Sequence, residues 1–229
     1  MIKGIFFDAG GVLYQRGSPT VDFARRLLKT EKYFTIPSEQ ETLALEALRV
    51  HASQGLTGHE AYWQQFLLLH GVQDPERRVN MVRQITDFSN DVQPVPGCRE
   101  ALSGLRSRHF ILGIVTDTIY PLEWKMQRLS RAGVSDLIEV VACSSALGVH
   151  KPDPAIYMNA LHQVNLSPAE SAFVGHDAVE LNGAHQAGML TVAVNYGPGV
   201  QADIYCRSML DLLEISPFSI NVGDMVANT

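Results

Sequence analysis

A chain of 229 residues exceeds one average domain yet falls short of two, and its 46% hydrophobic content is ample for a packed core without staples. Its 18 Lys and Arg against 24 Asp and Glu give a net charge of -6, which argues against a nucleic-acid partner, whose binders concentrate positive charge. Cys98, Cys143 and Cys206 form no CxxC pair and leave one over, so neither a disulfide framework nor structural zinc is expected, and a reducing, cytoplasmic setting is. No apolar run approaches the roughly 18 residues of a membrane span, and the apolar opening is too short for a signal peptide.

Residues 2–7 are a short, apolar, β-prone run that ends at Asp8 and the Gly10-Gly11 pair, which predicts a buried strand and a turn. From about 19 to 90 every signal is helical. Val21, Ala24, Leu27 and Leu28 recur at helical spacing, and Ser38 with Glu41 makes a capping box. Thr57 with Glu60 starts another helix through Tyr62, Phe66 and Leu69, and Asp74-Pro75 opens a fourth with Pro at its first position. After Pro94 the pattern alternates: strands at 110–115, 138–143, 172–175, 190–194 and near 203–206, with helices between them and a helical segment near 208–214. Such alternation means βαβ crossovers and a parallel, doubly wound sheet. The strand at 2–7 must join it, so the helical block is an insertion. The expected organisation is an α/β core, residues 1–15 and 94–229, with an all-helical domain, residues 16–93.

In a doubly wound sheet, ligands sit beyond the carboxyl ends of the strands. The side chains there are Asp8, Thr116, Asp117, Lys151, His176, Asp177 and Glu180. Carboxylates, a hydroxyl and a lysine on one edge suit a phosphate and a cation. An aspartate is already ionised at neutral pH and can act as a nucleophile, while a lysine offsets charge and a hydroxyl with backbone amides holds phosphate oxygens.

The run Phe6-Phe7-Asp8-Ala9-Gly10-Gly11-Val12-Leu13 resembles the first motif of the haloacid dehalogenase superfamily. Thr116 stands at the position of the second motif, 151–157 resembles the third, and 173–177 with Glu180, Gly183, Ala184 and Gly188 resembles the fourth. The resemblance implies a Rossmann-like core, an α-helical cap that closes over substrate, and a hydrolase whose nucleophile is Asp8. It further implies that Lys151 steadies that aspartate and that Thr116, Asp117 and Gly11 hold the phosphate of a small phosphorylated substrate. A magnesium ion would sit among Asp8, the Gly10 carbonyl, Asp177 and Glu180.

Three positions depart from the motifs. Gly10 stands where family phosphatases carry an aspartate that protonates the leaving group, a contribution of about 10²–10⁴ in rate. Asp117 replaces a common asparagine, and His176 occupies the usual place of the metal-binding aspartate. Imidazole is a poor ligand for magnesium, so Asp177 takes over, or Glu180 reaches in, or the metal site is weak; Asp177 is the favoured ligand. The leading expectation is a magnesium-dependent phosphatase of a small phosphomonoester working through an aspartyl-phosphate. A metal-free 2-haloacid dehalogenase using Asp8 and a catalytically degenerate binding protein are the alternatives.

Overall fold

A computed structural model describes residues 1–219, and at its centre lies strand β1 (Gly4–Phe7). Its four residues are all buried, which is why the run is apolar throughout instead of alternating. Ile5 and Phe7 point into one core and Phe6 into another, the two-residue period of a strand covered on both faces. β1 pairs in parallel with β4 (Ile111–Thr116) on one side and β6 (Ser171–Gly175) on the other. The sheet continues outward through β5 (Val140–Cys143) beyond β4, and through β7 (Leu190–Ala193) and β8 (Ile204–Tyr205) beyond β6. The order β5-β4-β1-β6-β7-β8 is parallel throughout. The register sets Phe7 opposite both Ile114 and Val174, so the carboxyl ends of β1, β4 and β6 lie side by side.

Helices cover both faces, as the alternation predicts. α5 (Cys98–Ser107) and α6 (Leu122–Arg131) supply Leu102, Leu105 and Leu129 to the core beneath Ile5 and Phe7. On the opposite face α8 (Pro154–Gln163) and α9 (Ala178–Gln186) bring Ile156, Tyr157, Leu161 and Leu181 against Phe6 and Phe173. Fully burying each such side chain contributes roughly 1.5–3 kcal/mol. A four-residue helix, α7 (Ser144–Leu147), follows β5 and has no counterpart in the sequence reading. The segment near 208–214 is a 3₁₀ helix, Met209–Leu213, whose Leu213 packs over Gly104 of α5. The end of the expected core segment, residues 220–229, lies outside the described residues.

The segment between β1 and β4 is helical as its periodicity demands: α1 (Thr20–Thr30), α2 (Glu39–Ser53), α3 (His59–Leu69) and α4 (Pro75–Asn90). Two of the three predicted N-terminal signals form, the Ser38–Glu41 capping box and the Asp74 cap ahead of Pro75; at the third, Gly58 is the N-cap of α3 in place of Thr57 and no side chain caps the helix. These helices bury their own cluster around Trp63, Phe66, Leu67 and Ile85. The chain enters and leaves this block through a ribbon the sequence reading did not contain: β2 (Tyr14–Gln15) pairs antiparallel with β3 (Gln93–Pro94). Two residues per strand leave no periodicity to read. Aromatic contacts link the block to α6 and the loop before it, where His59 lies against Tyr120 and Trp124 and the Trp63 indole donates to the Tyr120 hydroxyl at 3.1 Å. No helix of the described residues is long and apolar enough to cross a membrane.

Candidate active site

Asp8 is the first residue after β1, and its backbone amide donates to the Val174 carbonyl at 2.9 Å, extending the ladder to β6 by one step. The side chain thus stands at the sheet edge between β4 and β6, and it is 6% exposed. Lys151 reaches it from the loop between α7 and α8. Its ammonium donates to Asp8 Oδ1 and to Glu180 Oε2, both at 2.6 Å. Burial works against the charged ammonium, but Asp8, Glu180 and Asp117 outweigh it and hold the Lys151 pKa above its ordinary value. Such short bonds between ions are among the stronger polar contacts a protein makes.

The backbone around Lys151 is fixed from two sides. Asp117, just past β4, accepts the Lys151 backbone N–H on Oδ1 at 3.1 Å. From below, α9 presses on Pro152 at Gly183, where a Cβ would lie 2.9 Å from the proline backbone. Burial raises the Asp117 pKa, with Lys151 pulling in the opposite direction. Asp117 therefore holds the Lys151 backbone, a contact the sequence does not predict beside the phosphate contact expected of it.

Glu180 occupies the first turn of α9 and is buried. Its Oε1 accepts the backbone N–H groups of His176 at 2.7 Å and Asp177 at 3.0 Å, the reciprocal half of a capping box. Burial raises its pKa, but Lys151 and His176 overcome this and hold the carboxyl far below the ordinary range. Gly175 is required beside it, because a Cβ there would fall 2.7 Å from Oε1. The Tyr157 hydroxyl, its pKa pushed up by burial, donates to the Glu180 carbonyl at 2.6 Å.

The structure qualifies one sequence expectation and corrects another. Asp177, the favoured metal ligand, is exposed, and Oδ1 accepts the Val179 N–H at 2.8 Å as the N-cap of α9. Capping and metal ligation ask for the same residue type at a helix start; capping takes one oxygen here, and the residue also lines the cavity that holds Asp8, outside the tight cluster of ligand atoms around that aspartate. Gly11 does not offer its amide to a phosphate. That N–H donates to the Tyr14 carbonyl at 2.8 Å, in a turn whose φ of 80° favours glycine.

The candidates other than Gly11 converge. Asp8, Gly10, Thr116, Asp117, Lys151, Asp177 and Glu180 line one cavity of about 450 Å³, a size suited to a small molecule. Thr116 closes β4 with a buried Oγ1 that has no hydrogen-bond partner among the described residues, a donor available to a ligand oxygen. His176 also lines it, with Nδ1 3.2 Å from Glu180 Oε1 and 3.9 Å from Asp8 Oδ2. The neighbouring Glu180 raises its pKa, with burial opposing. Tyr14, Arg16, Lys125 and Arg128 also line the cavity, and the sequence reading singles out none of them.

Magnesium takes oxygen ligands in a near-octahedral array. Among the described residues, the side chains whose ligand atoms cluster closely enough to hold a metal are Asp8, His176 and Glu180. Lys151 already engages one oxygen of each carboxylate, two backbone amides engage the second oxygen of Glu180, and the third donor is an imidazole nitrogen. Imidazole suits zinc, iron or nickel better than magnesium. The residues present do not fit the magnesium site that the motifs imply.

The sequence pattern of the haloacid dehalogenase-like hydrolase family matches residues 5–194. Among curated proteins, the glyceraldehyde 3-phosphate phosphatase of Methanopyrus kandleri is 28% identical over 204 residues, 86% of this chain and 85% of that protein. The phosphoglycolate phosphatase of Cupriavidus necator is 30% identical over 125 residues, 53% of each chain. Among solved structures, a 2-haloacid dehalogenase from Pseudomonas syringae superposes with a TM-score of 0.66 at 21% identity, over 93% of this chain and 97% of that one.

Glu180→Gln leaves Lys151 with one ionic partner and is expected to cost about 3 kcal/mol of stability at neutral pH. Because the Glu180 pKa lies below its ordinary 4.5, its contribution is present above that pH and fades as pH falls toward the folded-state value. Melting curves of the two proteins should therefore differ most near neutrality and converge in acid. A gap independent of pH would contradict the assignment.

Proposed function

The chain belongs to the haloacid dehalogenase-like hydrolase family, and from that premise we propose that it is a phosphatase of small phosphomonoesters working through an aspartyl-phosphate on Asp8. The observation that carries this reading is the buried Asp8–Lys151 pair facing the same cavity as the unpartnered Thr116 hydroxyl. Similarity to the phosphatases above supports it. Lys151 engages Oδ1, so Oδ2 is the attacking oxygen. A bond forms between Oδ2 and phosphorus while the bond from phosphorus to the leaving oxygen breaks. Thr116 donates to a phosphate oxygen and Lys151 offsets the charge that builds on the transferring group. The alkoxide takes its proton from water, since position 10 carries no acid. A water molecule then attacks phosphorus, releasing phosphate and restoring Asp8.

In this reading residues 16–93 act as a cap over a core formed by 1–15 and 94–229, with the β2–β3 ribbon as the joint. No step runs through magnesium, whose ligands the site does not assemble. The substrate is a small molecule, without nucleic-acid or membrane partners. A cytoplasmic location is supported by three buried cysteines that are all free.

The missing oxygen cradle favours a second reading, a metal-free 2-haloacid dehalogenase. There Asp8 displaces halide from carbon, and water cleaves the resulting ester at the Asp8 carbonyl.

Phosphate release from a panel of sugar phosphates and small phosphomonoesters tests the proposal. Turnover is expected, and Asp8→Asn should lower it by about 10⁴-fold or more. Halide release from 2-chloropropionate, with no phosphate released from any ester, would replace the first reading with the second. A Cβ at Gly10 would meet nothing within 4 Å, so Gly10→Asp can be accommodated. Supplying the missing acid should raise kcat for phosphate esters by about 10²-fold, and no gain would contradict an alkoxide that must find its proton in water.

A further inference from the structure

Arg16, Lys125 and Arg128 line the cavity that holds Asp8, yet the mechanism above uses none of them. Lys125 and Arg128 are 4% and 2% exposed. Among the described residues neither they nor Arg16 form an ion pair with a carboxylate. Their bonds go to uncharged oxygens. Arg16 Nε donates to the Ser89 carbonyl at 2.7 Å. Lys125 Nζ donates to the Tyr14 hydroxyl at 3.0 Å and, at 3.4 Å, to the Asp117 carbonyl. Arg128 donates through Nε to Asn90 Oδ1 and through Nη2 to Ser89 Oγ, both at 3.1 Å.

Burying a cation without a counter-charge costs several kcal/mol. Lys151, in the same cavity, meets this with two carboxylates; the second set of cations meets it with none. Donors also remain. An ammonium has three N–H groups and a guanidinium five, and among the described residues Nη1 of Arg128 and both Nη atoms of Arg16 donate to no protein acceptor. Paired N–H groups of this kind match a carboxylate or a phosphate in two parallel bonds. The three side chains come from different places, Arg16 from just past β2 and the other two from adjacent turns of α6, and the shared neighbours Ser89 and Tyr14 hold them together.

We propose that Arg16, Lys125 and Arg128 form a subsite for a second anionic group, a carboxylate or a phosphate, carried on the leaving portion of the substrate. This deepens the reading above and rests on Asp8 being the reacting carboxylate. The substrate class is a phosphomonoester whose alcohol bears an acid, as against one with a neutral tail. The second anion supplies the counter-charge the protein omits, so binding relieves an electrostatic cost that the empty subsite carries.

The test compares matched pairs that differ in the distal charge. Phosphoglycolate against hydroxyethyl phosphate probes the carboxylate, and propanediol bisphosphate against propanediol monophosphate probes the second phosphate. For at least one pair, kcat/KM should favour the acid-bearing member by about tenfold or more, mainly through KM. Lys125→Met and, separately, Arg16→Gln should shrink that ratio to about threefold or less; Arg16 is partly exposed, so its variant guards against a folding defect at Lys125. Equal kcat/KM within both pairs, or a ratio unchanged in both variants, would overturn the subsite. Melting temperatures of Asp8→Asn with each compound decide it independently of turnover. If no ester releases phosphate, the phosphatase reading fails, while larger shifts with the acid-bearing members still support the subsite and equal shifts still overturn it.

Discussion

One ammonium group organises the site. Lys151 sits buried between Asp8 and Glu180, and each neighbouring element has a part in keeping it there. The β1–β6 ladder delivers Asp8, Asp117 at the end of β4 pins the Lys151 backbone, and α9 supplies both Glu180 and the glycine that lets Pro152 approach. A buried pair of this kind gains little net stability over an apolar alternative. What it provides is geometry, an aspartate held in one orientation with one oxygen bonded to the ammonium and, among the described residues, the other accepting no hydrogen bond. The fully buried strand and the capping box at α9 are the means by which a parallel sheet fixes three charges at its edge.

The helical block contributes a different chemistry to the same cavity. Its ribbon brings Tyr14 and Arg16 to the rim, and the end of α4 supplies Ser89 and Asn90 as uncharged partners for the cations. Trp63 and His59 pack on Tyr120 and Trp124, which follow Thr116 closely in the chain. The cavity therefore holds carboxylates balanced by Lys151 and, apart from them, cations awaiting balance. In the proposed reading, reactive chemistry comes from strand ends of the core, while the selection of substrate lies at the seam with the inserted helices.

Much of this was legible in the sequence. The strand ends, the helical insertion and the nearness of Asp8, Thr116, Lys151 and Glu180 follow from apolar runs and motif spacing, because a parallel sheet puts such residues at one edge. The capping role of Asp177 is hidden in the sequence because an N-cap and a cation ligand present the same side chain at the same helix start. Gly11 was misread because its amide is consumed by a turn closed three residues later. Lys125 and Arg128 look like the polar face of an amphipathic helix. Arg128 lies against Asn90 and Ser89 of α4 and Lys125 against Tyr14, and that serine is 39 positions from Arg128, which no local pattern encodes. The two-residue strands of the ribbon are likewise too short to leave a period.

The central claim is that Asp8, held by Lys151, is the group that takes the phosphoryl transiently. Rapid acid quenching during turnover of a phosphomonoester, followed by mass spectrometry of the peptide that contains Asp8, tests it directly. The account predicts a phosphorylated Asp8 in the quenched protein, absent without substrate. Turnover that proceeds with Asp8 unmodified at every quench time would contradict it.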